Sequence, residues 1–266
     1  MPQAVRVFPV FARRTAIAVL ACVAVTAYAD DADSNAAEEP EIRALLVTGG
    51  CCHDYDEQTQ ILKDGLAERL SISVEVVRGD DARETELEIY READWAAQYD
   101  IVIHNECYGG VTDEAFVKGI VKAHLDGTPA VFIHCAMHSY RDSPAADQWR
   151  NLIGLTSRRH ESKHAVSVVS VAETHPIMQG FPDVWTTKQG ELYVVEDIWP
   201  GCEVLATAYG TDTGREHPVI WTNTRGLTRV FGTTLGHYSE TMREDLFLDT
   251  LARGIEWTLA SDEAAD

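Results

Sequence analysis

Two histidines and a cysteine, His134, Cys135 and His138, stand where the apolar run Ala130 to Ile133 ends. Imidazole and thiol at such a place can move protons near neutral pH, hold a divalent ion or attack an electrophile. The arrangement recurs along the chain. Ala44 to Thr48 leads into Gly49-Gly50-Cys51-Cys52-His53-Asp54-Tyr55, Ile101 to His104 into Asn105-Glu106-Cys107, and Arg229 to Thr233 into Thr234-Leu235-Gly236-His237-Tyr238. On these grounds His134, His237, Glu106 and Glu191 are candidate acids, bases or ligands. His53, Asp54, Tyr55, His138, His160 and Tyr238 are candidate substrate contacts. The same donors allow a divalent metal ion, although no tight zinc spacing is present. Singly, each has the alternative of a structural hydrogen bond; together they gain weight by falling at the ends of apolar runs.

Apolar runs without alternation are the pattern of central strands covered on both faces, and parallel sheets bind ligands at the carboxyl ends of their strands. Four such ends on one edge would bring the scattered residues together. Ile61, Leu62, Leu66 and Leu70 give Glu57 to Leu70 helical spacing, and Phe116, Ile120, Val121 and Leu125 do the same for Asp113 to Asp126. Thr112 is the expected cap of that second helix and Gly127 its stop. Ser73 to Val77 alternates as a strand, whereas Asp81 to Tyr99 is too irregular to assign. Ala165 to Val171, Glu203 to Ala208 and Val219 to Thr222 read as strands, and Leu246 to Leu259 as a closing helix. The expected architecture is α/β, a mostly parallel doubly wound sheet with an antiparallel extension.

The chain opens with Arg6, Arg13 and Arg14, an apolar run from Ala16 to Val25, and Ala27-Tyr28-Ala29 before Asp30. That order is expected of a secretory signal peptide over residues 1–29, cleaved after Ala29. The run is too short for a membrane span; Cys22 and the Arg13-Arg14 pair leave lipoprotein and twin-arginine variants open. Residues 30–41 read as an acidic linker, 42–260 as one domain, and 261–266 as an acidic tail. The net charge is −21, and loss of three arginines with no acid makes it more negative still. Such a chain repels nucleic acid and anionic lipid, which points to a neutral or cationic small molecule. The expected location is periplasmic or secreted. Of six cysteines, Cys22 leaves with the leader, and the remaining odd number in an oxidising compartment allows a bridge from Cys51 or Cys52 to Cys107, or none.

With these residues in view, the chain resembles the ThuA-like family, of the trehalose-utilisation type, within the class I glutamine amidotransferase-like fold. The resemblance is carried by G-G-C-C-H-D-Y at Gly49 to Tyr55, V-F-I-H-C-A at Val131 to Ala136, H-P-I-M-Q-G at His175 to Gly180, G-E-L-Y at Gly190 to Tyr193, G-H-Y at Gly236 to Tyr238 and R-G-I-E-W at Arg253 to Trp257. It implies a flavodoxin-like three-layer sandwich and a carbohydrate-related substrate. An amidotransferase carries its cysteine on a tight elbow with a small residue two places on. Here Ala136 suits His134 at the elbow better than Met137 suits Cys135. Amidotransferases also use a His-x-Glu near the last strand, whereas here His237 and Glu240 are separated by two residues. Glutamine hydrolysis is therefore disfavoured.

The expected function is that of an exported enzyme acting on a carbohydrate or an oxidised sugar derivative by acid/base or metal-assisted chemistry. The alternatives are a carbohydrate-binding protein without turnover and a hydrolase using Cys135 with His237. Trp185, Trp199 and Trp221 offer rings for sugar stacking or for core packing. His175 and His217 precede prolines and are expected at turns. His124 near a helix end suits a cation, and His160 and His164 either line the pocket or belong to a solvated basic segment.

Overall fold

Strand β1 (Ile42–Gly50) has apolar side chains on both faces, and both are covered: Leu45 and Val47 join one buried cluster, Ala44 and Leu46 the other. The same parity runs through β3 (Ile101–Cys107) and β4 (Ala130–Ile133), where Val102, Ala130 and Phe132 face one way and Ile103, Val131 and Ile133 the other. A computed structural model describes residues 42–260, so the expected leader, linker and acidic tail lie outside the described residues.

With β2 (Ile72–Arg78) and β11 (Thr228–Thr233), these strands form a parallel block in the order β2-β1-β3-β4-β11. Beyond β11 the sheet continues antiparallel through β10 (Arg215–Arg225), β9 (Cys202–Gly210), β6 (Ser167–Ser170) and β7 (Val184–Thr186), nine strands in all. A separate antiparallel pair, β5 (Leu155–His160) with β8 (Tyr193–Ile198), stands beside it.

Helices cover both faces. α1 (Tyr55–Ala67) and the closing helix α4 (Asp245–Leu259) bury Leu62, Leu66, Phe247, Leu251 and Ile255 against one face; α2 (Glu114–Leu125) and α3 (Ala146–Ile153) bury Phe116, Ile120, Trp149 and Leu152 against the other. Each such side chain contributes roughly 1.5–3 kcal/mol by leaving water. The result is the expected three-layer α/β sandwich.

Local departures have local causes. α1 begins at Tyr55, earlier than its apolar period shows, because the Asp54 carboxylate accepts the Glu57 N–H at 3.0 Å. α2 is capped by Asp113, whose carboxylate takes the Ala115 and Phe116 N–H groups, and not by Thr112. The unassigned stretch before Tyr99 is a set of turns, yet it buries Leu87, Tyr90 and Trp95. His217 sits inside β10, fully buried, with Val195 N–H donating to its Nδ1 at 3.2 Å; it forms no turn. His175 does cap a turn, since its Nδ1 accepts the Ile177 N–H.

Candidate functional site

The chain leaves β4 at Ile133 and turns at once into a short 3-10 helix, His134–His138. His134 takes φ +46°, left-handed backbone that costs a residue with a β-carbon on the order of 1–2 kcal/mol. Ala136, two places on, is fully buried in the tight turn. The elbow therefore presents an imidazole.

Its neighbour Cys135 is bonded to Cys107, and Cys51 to Cys52. The pairing differs from the expected bridge between Cys51 or Cys52 and Cys107. β3 and β4 are adjacent parallel strands, so Cys107 and Cys135 end 5.3 Å apart at Cα, within ordinary bridging reach. A bridged Cys135 offers no thiolate, which removes the cysteine-hydrolase reading. Cys202 is the free cysteine among the described residues, its thiol pushed up to about 12 by burial.

Three loops bring three imidazoles together. His53 follows β1, His134 follows β4 and His237 follows β11. Ring centroids lie 4.9 Å apart for His53 and His134, 4.8 Å for His53 and His237, and 5.4 Å for His134 and His237. Gly236, at φ +106°, makes the turn before His237, and a β-carbon there would meet Met242 at 2.8 Å. Gln58 ties this loop to α1 by donating to the Gly236 carbonyl at 3.2 Å.

Glu191, from the loop before β8, closes the cluster. Its Oε2 lies 3.2 Å from His237 Nδ1 and 3.6 Å from His134 Nε2; its Oε1 lies 3.6 Å from His160 Nε2 and 3.8 Å from Lys163 Nζ. Burial opposes its ionisation, but contacts with His134 and His237 prevail and hold the carboxyl well below the usual range. Burial, with His134 and His237 adding to it, lowers His53 to about 3; burial chiefly lowers His134 as well. At neutral pH the centre is a carboxylate beside the neutral imidazoles of His53 and His134.

The cluster borders an open cleft of about 420 Å³, lined by His53, His138, His160, Glu191, Tyr193, His237 and the two disulfides. His134 lies just beneath, 1% exposed, against the rings of His53 and His237. His138 stacks on Tyr193 with centroids 4.2 Å apart, and burial lowers it to about 3. Tyr55, Asp54 and Tyr238 line the adjoining groove, with Tyr238 beneath the Lys163 ammonium. Asp54 there is also the helix cap described above.

Glu106 is elsewhere. Strand alternation puts it on the same face of β3 as His104, toward α2 and α3. It is fully buried, 2.9 Å from His104 Nδ1, and accepts from the Tyr90 and Tyr140 hydroxyls at 3.5 and 3.4 Å. His104 in turn meets His124 at 3.0 Å, and His124 Nδ1 donates to the Thr128 carbonyl. Burial lowers His124 to about 3, so it is a neutral core group and no cation for the helix end. Trp185, Trp199 and Trp221 donate to Glu244, Thr156 and Ile153, and none lines the cleft.

Sequence reasoning missed Tyr193, Arg141, Arg158, Arg159 and Lys163, which also line the cleft. Their signals were the G-E-L-Y motif and the basic run Arg158 to His164; from that run His160 reaches the cleft and His164 does not.

A mostly parallel sheet between two helical layers, with a polar cleft over the carboxyl ends of its strands, defines a three-layer α/β protein. The chain belongs to the ThuA family, described as trehalose utilisation, whose model matches residues 43–258. Similar solved structures include a ThuA-like protein from Parabacteroides merdae, 22% identical, covering 82% of this chain and 90% of that one with a TM-score of 0.66. Another from Bacteroides uniformis is 14% identical, covers 87% and 97%, and has a TM-score of 0.65. A cytoplasmic protein from Salmonella typhimurium LT2, 12% identical, covers 81% and 99% with a TM-score of 0.55. No curated protein matches the sequence.

Proposed function

We propose that this protein is an exported enzyme acting on a carbohydrate or an oxidised sugar derivative, with Glu191, His134 and His237 as its reactive centre. The observation that carries the reading is one buried carboxylate shared by two imidazoles at the wall of an open cleft. Such a centre can take a proton from a sugar hydroxyl or from carbon beside a carbonyl and return it elsewhere on the same molecule. His160, exposed at the rim beside Glu191, is placed to exchange that proton with solvent. The substrate class rests on the family's description, trehalose utilisation.

The cleft reverses the charge of the chain. Arg141, Arg158, Arg159 and Lys163 surround it in a protein of net charge −21, and among the described residues Glu191 is its one lining carboxylate. That favours an oxidised sugar bearing a carboxylate or a polarised carbonyl over the neutral or cationic partner suggested by total charge. Export is supported by the basic, apolar and Ala-x-Ala order of residues 1–29 and by two disulfides, which persist in oxidising compartments. Among the described residues no helix is long and apolar enough to cross a membrane.

Thermal shift of the mature protein against neutral disaccharides and their keto and carboxylate derivatives, followed by mass spectrometry of the reaction mixtures, tests this. Stabilisation with a changed sugar mass or a new isomer supports an enzyme. Stabilisation with unchanged sugar supports a binding protein instead.

A further inference from the structure

We propose that His53, His134 and His237, closed by Glu191, bind one divalent transition-metal ion of the zinc, cobalt or nickel kind. The inference deepens the proposed function and rests on it only for the position of the reactive centre.

The tautomers carry the argument. His134 Nδ1 lies 2.6 Å from the Thr234 carbonyl, and His53 Nδ1 lies 3.2 Å from the His237 carbonyl. A carbonyl only accepts, so each Nδ1 carries the proton and each Nε2 is left with a lone pair. This is the arrangement by which proteins orient metal-binding imidazoles. The rings are packed edge to face, and donor atoms from the three residues lie within 4.8 Å of one another. Small side-chain rotations bring that spread to the roughly 3.3 Å expected between nitrogens around a tetrahedral ion.

An independent observation points the same way. His237 Nδ1 is buried without a well-formed hydrogen bond, its near neighbour being the Glu191 carboxylate, with Oε2 at 3.2 Å. The His237 side chain is 7% exposed, so water does not satisfy it readily. A cation among the three rings would accept that lone pair and the two Nε2 lone pairs together, displacing the Tyr193 hydroxyl that donates to His134 Nε2 at 3.3 Å, and Glu191 would supply the balancing negative charge. Nitrogen-rich donors with one carboxylate select borderline ions over calcium or magnesium. Cys51, Cys52 and Cys107 are also close enough to share an ion, but all three are held in disulfides and offer no thiolate. With the ion bound, His134 and His237 would serve as ligands, Glu191 would keep the proton-transfer role of the proposed function, and the metal would polarise a substrate oxygen.

The test is cobalt(II) and zinc binding to the mature protein, prepared without reductant so that the cysteines stay paired. The expected result is one equivalent of bound metal, visible cobalt absorption bands and a rise in melting temperature. His53→Ala and His237→Ala should weaken binding on the order of a hundredfold or more. His164→Ala, outside the cleft, should bind as the parent does. Melting curves without metal confirm that each variant is folded, and His53→Gln provides a gentler substitution should His53→Ala not fold. Substoichiometric uptake by the parent, or equal binding by His53→Gln and His164→Ala, overturns the site. Turnover unchanged in excess chelator with no metal retained also overturns it, while leaving the acid/base reading intact.

Discussion

His134 Nδ1 meets the Thr234 carbonyl at 2.6 Å, so the loop after β11 fixes the tautomer of the residue at the turn after β4. Through this bond the neighbouring strands β4 and β11 present His134 Nε2 toward Glu191 and Tyr193.

His134→Ala should lower turnover on the order of a hundredfold or more. Cys135→Ser should keep most turnover while opening the bridge to Cys107, at a stability cost of roughly 2–4 kcal/mol. Rate assays and denaturant melts on both variants separate the two effects. A dead Cys135→Ser beside an active His134→Ala would return the nucleophile to the cysteine.

Acid should destabilise the fold through His124. This imidazole is held neutral, at about 3 against 6.5 for the free group, with burial as the main cause. Between those values the unfolded chain binds the extra proton, so stability is present above pH 6.5 and falls as pH drops toward 3. The slope reaches up to about 1.4 kcal/mol per pH unit for one such group. Urea midpoints from pH 7 to pH 4 should fall more steeply in the parent than in His124→Gln, and parallel curves would contradict this.

Much of the fold was legible because its central strands are apolar on both faces, as in Ala44 to Thr48 and Ala130 to Ile133, and their ends carry His53, His134 and His237. Glu106 was misplaced because alternation, invisible in a run buried on both faces, decides which way a strand-end residue points. β5 and β8 were missed because Arg158, Arg159 and His160 make the end of β5 look like a loop. Glu191 was nameable from its motif, but its contacts depend on a loop whose path no periodicity encodes. His124 looked like a helix-end cation because sequence shows position along a helix and not the burial that neutralises it.

The mature chain should begin at Asp30. N-terminal sequencing or intact mass of the exported protein checks this, and retention of residues 1–29 would remove the secretory assignment.

The most direct measurement of the central claim is turnover by Glu191→Gln on a sugar found in the screen, with binding measured in parallel. Glutamine keeps the size of the side chain and removes the charge shared by His134 and His237. The account predicts that kcat falls on the order of a hundredfold or more while sugar affinity changes little. A variant that turns over as fast as the parent, or one that loses only affinity, would contradict a reactive centre at Glu191.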